Sequence, residues 1–303
     1  MPSLAAVKAL NSSFSISYVP VAVFIGGTSG VGRSMAEAFA RYTRGNAQIV
    51  IAGRNQQAAD EILASLPKPS STGWRHEFVP CEASLMKNIA NFTTDIRQRF
   101  PKINYLVISS GYASLLGRKD TEEGIDVQLA LRYYGRWKFV HELLPSLRAA
   151  QQAGEASSAM LVLDPARGIP IDVHDFGLKR KYSGMTAMRV SCTYTDMALQ
   201  EFALRDPAIS FTHIHPGFVN TPLYDSSHWA MRLVRPLVRM TAISPAVCAE
   251  HMLFALMNGE PGFSRRDDKG DVMGKSAYVA TEDERKKLWE HTIQEVNGYT
   301  EGK

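Results

Sequence analysis

Val21-Ala22-Val23-Phe24-Ile25-Gly26-Gly27-Thr28-Ser29-Gly30-Val31-Gly32-Arg33 reads as a buried strand running into a glycine-rich turn, with a helix opening at about Ser34. Met35, Phe39 and Tyr42 then recur on one helical face. A dinucleotide pyrophosphate needs that order. Glycines let the backbone turn tightly and approach the phosphates, and unpaired N–H groups at the helix start face the negative charge. Gly26, Thr28, Ser29, Gly30, Val31, Gly32 and Arg33 are therefore candidate cofactor-binding residues. Glycines also mark ordinary turns, so the reading rests on the flanking strand and amphipathic helix. A second apolar run, Gln48-Ile49-Val50-Ile51-Ala52-Gly53, ends at Arg54-Asn55. An acidic residue at that strand end accepts from a ribose 2′-hydroxyl, whereas an arginine accommodates a 2′-phosphate. Arg54 lies 22 residues past Gly32 with no carboxylate beside it, and Arg33 directly follows the turn. Two guanidiniums suit one phosphate in geometry and charge. NADP(H) is expected over NAD(H); the plainer alternative is two solvated surface arginines.

The 303 residues fit one large α/β domain or two small ones. Hydrophobic content of 45% and charged content of 21% are ordinary for a globular protein. A net charge of +4 without a long basic run gives no nucleic-acid signature. Cys81, Cys192 and Cys248 lie far apart without metal-ligand spacing. No metal site is expected, and the sparse thiols suit a reducing compartment, the cytoplasm. No signal-peptide pattern opens the chain, and no run approaches the ~18 apolar residues of a membrane span.

Strands and helices alternate along most of the sequence. A helix is expected near Gln57–Leu66, a strand at Glu77–Pro80, a helix at Met86–Arg99 and an apolar strand at Asn104–Ser109. A long helix follows over Ile125–Ala150 with Gly135 inside it, then a strand at Ala159–Leu163. A helix at Tyr182–Leu204 and a strand at Ser210–His215 complete the alternation. Continuous apolar strands between amphipathic helices predict one Rossmann-like, doubly wound α/β domain over residues 1–303, its parallel sheet covered on both faces. Ligands then bind at the carboxyl ends of the strands.

The last third departs from the alternation. Trp229, Met231, Leu233, Val234, Leu237, Val238 and Met240 are interleaved with Arg232, Arg235 and Arg239. Three readings stand for 224–242: a basic amphipathic helix broken near Pro236, a substrate lid, or a membrane-surface contact. Residues 224–275 are taken as a helical lid or variable insertion, with 259–276 a mobile surface loop and Leu288–Val296 a terminal helix. The apolar content of 224–242 points to a bulky hydrophobic small molecule as substrate.

Several motifs resemble the short-chain dehydrogenase/reductase superfamily. They are the glycine turn, Gly53-Arg54, Tyr182-Ser183-Gly184-Met185-Thr186, and Pro216-Gly217-Phe218-Val219-Asn220-Thr221. The resemblance spans about residues 18–222. It is closest to a divergent fungal branch found around secondary-metabolite pathways, through Gly177-Leu178-Lys179 before Tyr182-Ser183 and through Ile209-Ser210-Phe211 leading to His215-Pro216-Gly217.

The resemblance implies that Tyr182 acts as acid or base on the substrate oxygen, beside a lysine, a serine and an asparagine. Only the tyrosine is present. Thr186 stands at the lysine position, Asp164-Pro165 where the serine is found, and Arg132 at the helix asparagine. Ser109-Ser110-Gly111 replaces an asparagine-alanine-glycine after the fourth strand. Candidate catalytic residues are Tyr182, Asp164, Arg132 and Ser109. Ser110, Gly111, Tyr182, Pro216, Gly217, Val219 and Thr221 join the cofactor-binding set. Arg132 would supply positive field if it points inward, and Asp164 would relay protons; the alternatives are a solvated arginine and a turn-forming aspartate. His213 and His215 share a strand face without metal-ligating companions, which favours packing over ligation, and His174-Asp175 would border the substrate.

Three functions stay open on this reading. The first is an NADPH-dependent reductase of a carbonyl or enone with Tyr182 as proton donor. The second is a non-redox cyclase or isomerase using Asp164, Arg132 and Tyr182, its dinucleotide structural or absent. The third is a non-catalytic NADPH-binding protein. Relatives that are dimers or tetramers through the helices after strands four and five imply a possible homodimer or homotetramer.

Overall fold

A computed structural model of the chain describes residues 2–69, 74–221, 242–274 and 278–298. Seven parallel strands form one sheet in the order β3-β2-β1-β4-β5-β6-β7. They are β1 (Val21–Ile25), β2 (Gln48–Gly53), β3 (Glu77–Pro80), β4 (Tyr105–Ile108), β5 (Ser158–Val162), β6 (Ser210–Ile214) and β7 (Gly262–Arg266). The central strands are apolar and buried along their length because helices cover both faces of the sheet.

One face carries α4 (Met86–Arg99), α6 (Gly135–Gln152) and α7 (Gly184–Arg205). Their core includes Ile89, Phe92, Tyr133, Trp137, Val190, Tyr194 and Phe202. The other face carries α2 (Gly30–Tyr42), α3 (Gln56–Ser65) and α8 (Pro245–Met257). There Met35, Phe39, Ile62 and Leu253 pack beneath β1 and β2. Phe39 is fully buried, with ring centroids 6.0 Å from Phe24 and 5.4 Å from Tyr105. Truncating such a ring to alanine costs ~3–5 kcal/mol.

Six of the strands match the sequence expectation to within two residues at each end. Five differences have physical causes. Helix α2 begins at Gly30, four residues before Ser34, because Gly30 adopts φ +55 and turns the chain at once into the helix. The long helix is not uniform: α5 (Val127–Leu129) and α6 flank a π-helical turn at Ala130–Tyr134, closed by Gly135 N–H to the Ala130 carbonyl. The loop expectation over 259–276 holds only in part: Gly262–Arg266 forms β7 beside β6, the described residues after it are turn and irregular, and 275–276 lie outside the described residues. The sequence of β7, Gly-Phe-Ser-Arg-Arg, hides it: an edge strand needs few apolar residues. The terminal helix α9 (Glu282–Asn297) starts six residues earlier than Leu288, at a reciprocal Thr281–Glu284 capping box. An N-terminal helix, α1 (Leu4–Ser12), also packs on the sheet assembly, its buried Asn11 donating to Glu250 of α8 at 3.1 Å.

The lid expectation over 224–275 divides. Residues 224–241 lie outside the described residues, while 245–257 and 262–266 form α8 and β7. Helix α9 lies over α6 and α7, the helices that follow the fourth and fifth strands. Trp289 is 6% exposed, with its ring 5.0 Å from Trp137 and 4.8 Å from Phe202. Tyr133 and Thr292 hydroxyls are 2.6 Å apart, and Tyr134 Oη lies 2.8 Å from His291 Nε2. No helix among the described residues is long and apolar enough to cross a membrane.

Candidate active site

The carboxyl ends of β1, β4 and β6 meet around the glycine turn. Gly26 has φ +82, and a Cβ there would fall 2.5 Å from Ser110 N. A Cβ on Gly32 would overlap Ser109 Oγ and lie 2.6 Å from the Gly26 carbonyl oxygen. One on Gly30 would meet Thr221 Cγ2 at 3.1 Å. Only glycines permit these approaches without displacing backbone. Gly26, Gly30, Gly32, Ser109, Ser110 and Thr221 are thereby brought together. Ser109 Oγ donates to the Ile25 carbonyl at 3.2 Å, so it is tied to the turn. Thr28 packs against Gly53, linking the turn to the end of β2.

Ser29 is the N-cap residue of α2, yet its side chain makes no capping bond. Thirteen residues of helix dipole thus end on N–H groups, around Gly30, Val31 and Gly32, that an anion can satisfy. Arg33 lies in the first turn of α2, and Arg54 directly follows β2. Arg33 Nε donates to Glu37 at 2.8 Å, and Arg54 Nη1 reaches Glu82 at 3.3 Å. Both pairs are exposed enough to contribute little and to yield to a stronger anion. The uncapped helix and the glycine cradle fit a dinucleotide diphosphate. Gly111 is open and exposed. Gly217 turns the chain after β6 at φ +74, Pro216 accepts from Cys248 Sγ at 3.4 Å, and the Val219 side chain is buried in the core.

Tyr182 is presented by a strained turn. Leu178 holds φ +54 without being glycine, and Arg118 Nη1 donates to the Gly177 carbonyl at 2.7 Å. Asp175 accepts from the N–H groups of Arg180 and Lys181, each at 3.0 Å, so it shapes this turn and is itself buried. Tyr182 Oη donates to Asp126 Oδ1 at 3.2 Å. Burial, then the Asp126 carboxylate, push the phenol well above its usual value. Thr186, one turn on, bonds only locally, its hydroxyl 2.7 Å from Ser183 Oγ.

Arg132 points inward. Its Nε donates to Ser191 Oγ at 3.0 Å and Nη2 to the Met188 carbonyl at 3.2 Å, both on α7. The π turn sets this direction by rotating the helix by a fraction of a turn at Arg132. Burial lowers the guanidinium from its ordinary value, partly offset by Cys192 and Asp164. Cys192 beside it is pushed up to about 11 by burial, with Arg132 opposing. Asp164 caps a short turn, accepting from Ala166 N–H at 3.3 Å, and pairs with Arg167 at 2.8 Å. It is a turn former that also sits within the field of Arg132 and 3.7 Å from His215 Nδ1. Tyr182 makes no hydrogen bond among the described residues to Arg132, Asp164 or Ser109. His213 is fully buried, its Nδ1 2.7 Å from Asp196 Oδ1, and Asp196 also accepts from Arg265 at 2.6 Å.

Three residues of the site were missing from the sequence reading. Asp126 faces Tyr182 from 56 positions away and also N-caps α5, accepting from Leu129 N–H at 3.0 Å. An aspartate just after Gly124-Ile125 at a helix start was the available signal. Buried Gln128 bridges the loop after β4 to α7. Buried Arg136 ties β4 to β5, donating to the carbonyls of Ser110 at 2.6 Å and Val162 at 2.8 Å. Burial, then repulsion from Arg132, bring its guanidinium down to about 9.

A family model described as "short chain dehydrogenase" matches residues 20–156. The chain is 32% identical to "Oxidoreductase AN1596" of Emericella nidulans, covering 96% of this chain and 97% of that protein. It is 35% identical to "Oxidoreductase andH" of Emericella variicolor, over 74% of this chain and 65% of that protein. Among solved structures, the NADPH-bound carbonyl reductase from chicken fatty liver superposes with a TM-score of 0.60 at 18% identity, covering 85% of this chain and all of that one. At that identity the likeness concerns the fold.

Proposed function

This chain belongs to the short-chain dehydrogenase/reductase superfamily, and from that premise we propose that it reduces a carbonyl or enone of a hydrophobic small molecule with NADPH, Tyr182 donating the proton. The observation that carries the cofactor part is the uncapped start of α2 against a glycine cradle, with Arg33 in the first turn of the helix and Arg54 directly after β2. When bound, NADPH supplies a hydride to the carbonyl carbon. The chain's own residues do the rest. The N–H groups of Gly30, Val31 and Gly32 hold the diphosphate, and Arg33 and Arg54 leave their surface carboxylates for the 2′-phosphate. Ser110, Gly111, Pro216, Gly217, Val219 and Thr221 border the nicotinamide end.

Tyr182 gives its proton to the substrate oxygen as the carbon–oxygen double bond becomes single. The phenol is protonated at neutral pH, so the proton is available, although its raised pKa makes it a weaker donor than a free phenol. The substrate oxygen must compete with Asp126 for the hydroxyl. Asp126 keeps the N–H groups of Leu129 and Lys119 when Tyr182 turns away, so the competition leaves no buried carboxylate unsatisfied. Water at the partly exposed phenol returns the proton. Arg132 supplies positive field toward Asp164, and the cation that acts on the Tyr182 phenol is Arg118. The helices α6 and α7, through which a homodimer or homotetramer would form, also carry α9 against them.

The experiment is an assay of NADPH consumption against alcohol formation with a hydrophobic ketone. Tyr182→Phe should lower turnover by ~10²–10⁴; full product formation in that variant overturns the proton-donor role. A second reading draws on Asp164 lying in the field of Arg132 beside His215. Product formed without NADPH oxidation, and lost in Asp164→Asn, would assign a non-redox isomerase or cyclase. Nucleotide binding with no product would leave a binding protein.

A further inference from the structure

Four exposed, uncharged side chains lie on two segments that meet next to Tyr182 in the fold. Leu115 and Leu116 are 53% and 55% exposed, Met185 is 51% and Tyr112 is 38%. They come from the loop after β4 and from the first turn of α7. Gly184 lets the two segments touch, since a Cβ there would overlap the Ser114 carbonyl and lie 2.9 Å from Leu115 Cα. Gln128, 1% exposed, fastens them: it accepts from Ser114 N–H at 2.6 Å and donates to the Gly184 carbonyl at 2.7 Å. Ser114 Oγ in turn accepts from Leu116 N–H at 3.1 Å. Tyr112 is close enough for its phenol to act electrostatically on that of Tyr182. Single exposed leucines are ordinary, but exposed apolar side chains on two segments fastened together by a buried polar bridge mark a candidate binding surface.

We propose that Tyr112, Leu115, Leu116 and Met185 form an apolar lip that seats the hydrocarbon portion of the substrate whose oxygen meets Tyr182, and so select elongated apolar compounds over compact ones. The lip rests on the reading of Tyr182 as the reacting group. Its occupant follows from continuity. Met185 is three residues from Tyr182, Leu115 lies against Gly184, and Tyr112 acts on the Tyr182 phenol, so the uncharged side chains adjoin the segment that carries the tyrosine.

The test compares the wild-type protein with L115S/L116S on straight-chain 2-ketones from butan-2-one to dodecan-2-one with NADPH. Both leucines are exposed, so the variant should fold with the wild-type melting temperature. In the wild type, kcat/KM should rise with length by up to about fourfold per seated methylene, mainly through KM. In the variant that rise should collapse. Dodecan-2-one alone should raise the melting temperature of the wild type and not of the variant. An unchanged dependence on length, or an equal loss at every length, overturns the lip. So does finding that the leucines govern self-association or phosphatidylcholine vesicle binding instead. If no ketone is consumed yet dodecan-2-one stabilises the protein through the leucines, the redox reading fails and the lip stands. Neither turnover nor stabilisation removes the lip.

Discussion

If Tyr182 is the proton donor proposed, its surroundings set which direction of the reaction is favoured. In the fold the phenol is held protonated by burial and by Asp126. Reduction should therefore stay level from neutral pH upward and decline only as pH rises through the raised phenol pKa. Alcohol oxidation, which needs the phenolate, should rise over that same interval. Asp126→Asn keeps the N-cap of α5, since asparagine caps as well as aspartate, while removing the charge. The alkaline limb of the pH–rate profile should move to lower pH in that variant; an unmoved limb would show that Asp126 does not set the phenol. At this scale the glycine turn was readable because its geometry is local. Asp126 was not, because its partner lies 56 residues away and only the tertiary fold joins them. Arg132 was readable as a candidate, yet its direction depended on a π turn that no local propensity encodes.

Among the elements, α9 shows how an end of the chain can hold the active-site layer. Trp289 packs on Trp137 of α6 and Phe202 of α7, and Arg205 stacks 4.3 Å over its ring. His291 lies 5.1 Å from Phe176, in the turn before Tyr182, and Lys179 of that turn pairs with Glu295 at 2.9 Å. Trp289→Ala should cost ~3–5 kcal/mol in urea unfolding and loosen the turn carrying Tyr182. A cost under 1 kcal/mol would mean that α9 is dispensable to the core. The apolar strands β1, β2, β4 and β5 were readable because burial on both faces demands continuous apolar runs. The edge strand β7 was not, as its arginines reach carboxylate and carbonyl partners in the fold, Asp196 and Gly270. The capping box at Thr281 was present in the sequence and would have placed the start of α9 correctly.

For the molecule as a whole, the buried thiols and phenols set an alkaline limit. Cys81, Cys192 and Cys248 are all free and buried. Burial raises Cys81 and Cys248 from 9.0 to about 12 and Cys192 to about 11. Tyr105, Tyr133, Tyr134 and Tyr194 are likewise raised by burial. The unfolded chain therefore loses these protons first, so stability is full below pH 9 and falls as pH rises toward the folded values. Melting temperature should be level from pH 7 to about 9 and drop steeply above it; a level curve to pH 11 would contradict the burial of these groups. The central claim, that the glycine cradle with its arginine pair makes this an NADPH site, is tested most directly by titrating the protein with NADPH and NADH while following nicotinamide fluorescence. NADPH should bind more tightly than NADH, and Arg54→Ala should weaken NADPH binding roughly 10- to 100-fold by loss of a charge-assisted hydrogen bond, with NADH little changed. Equal affinities for the two nucleotides, or none for either, would contradict the claim.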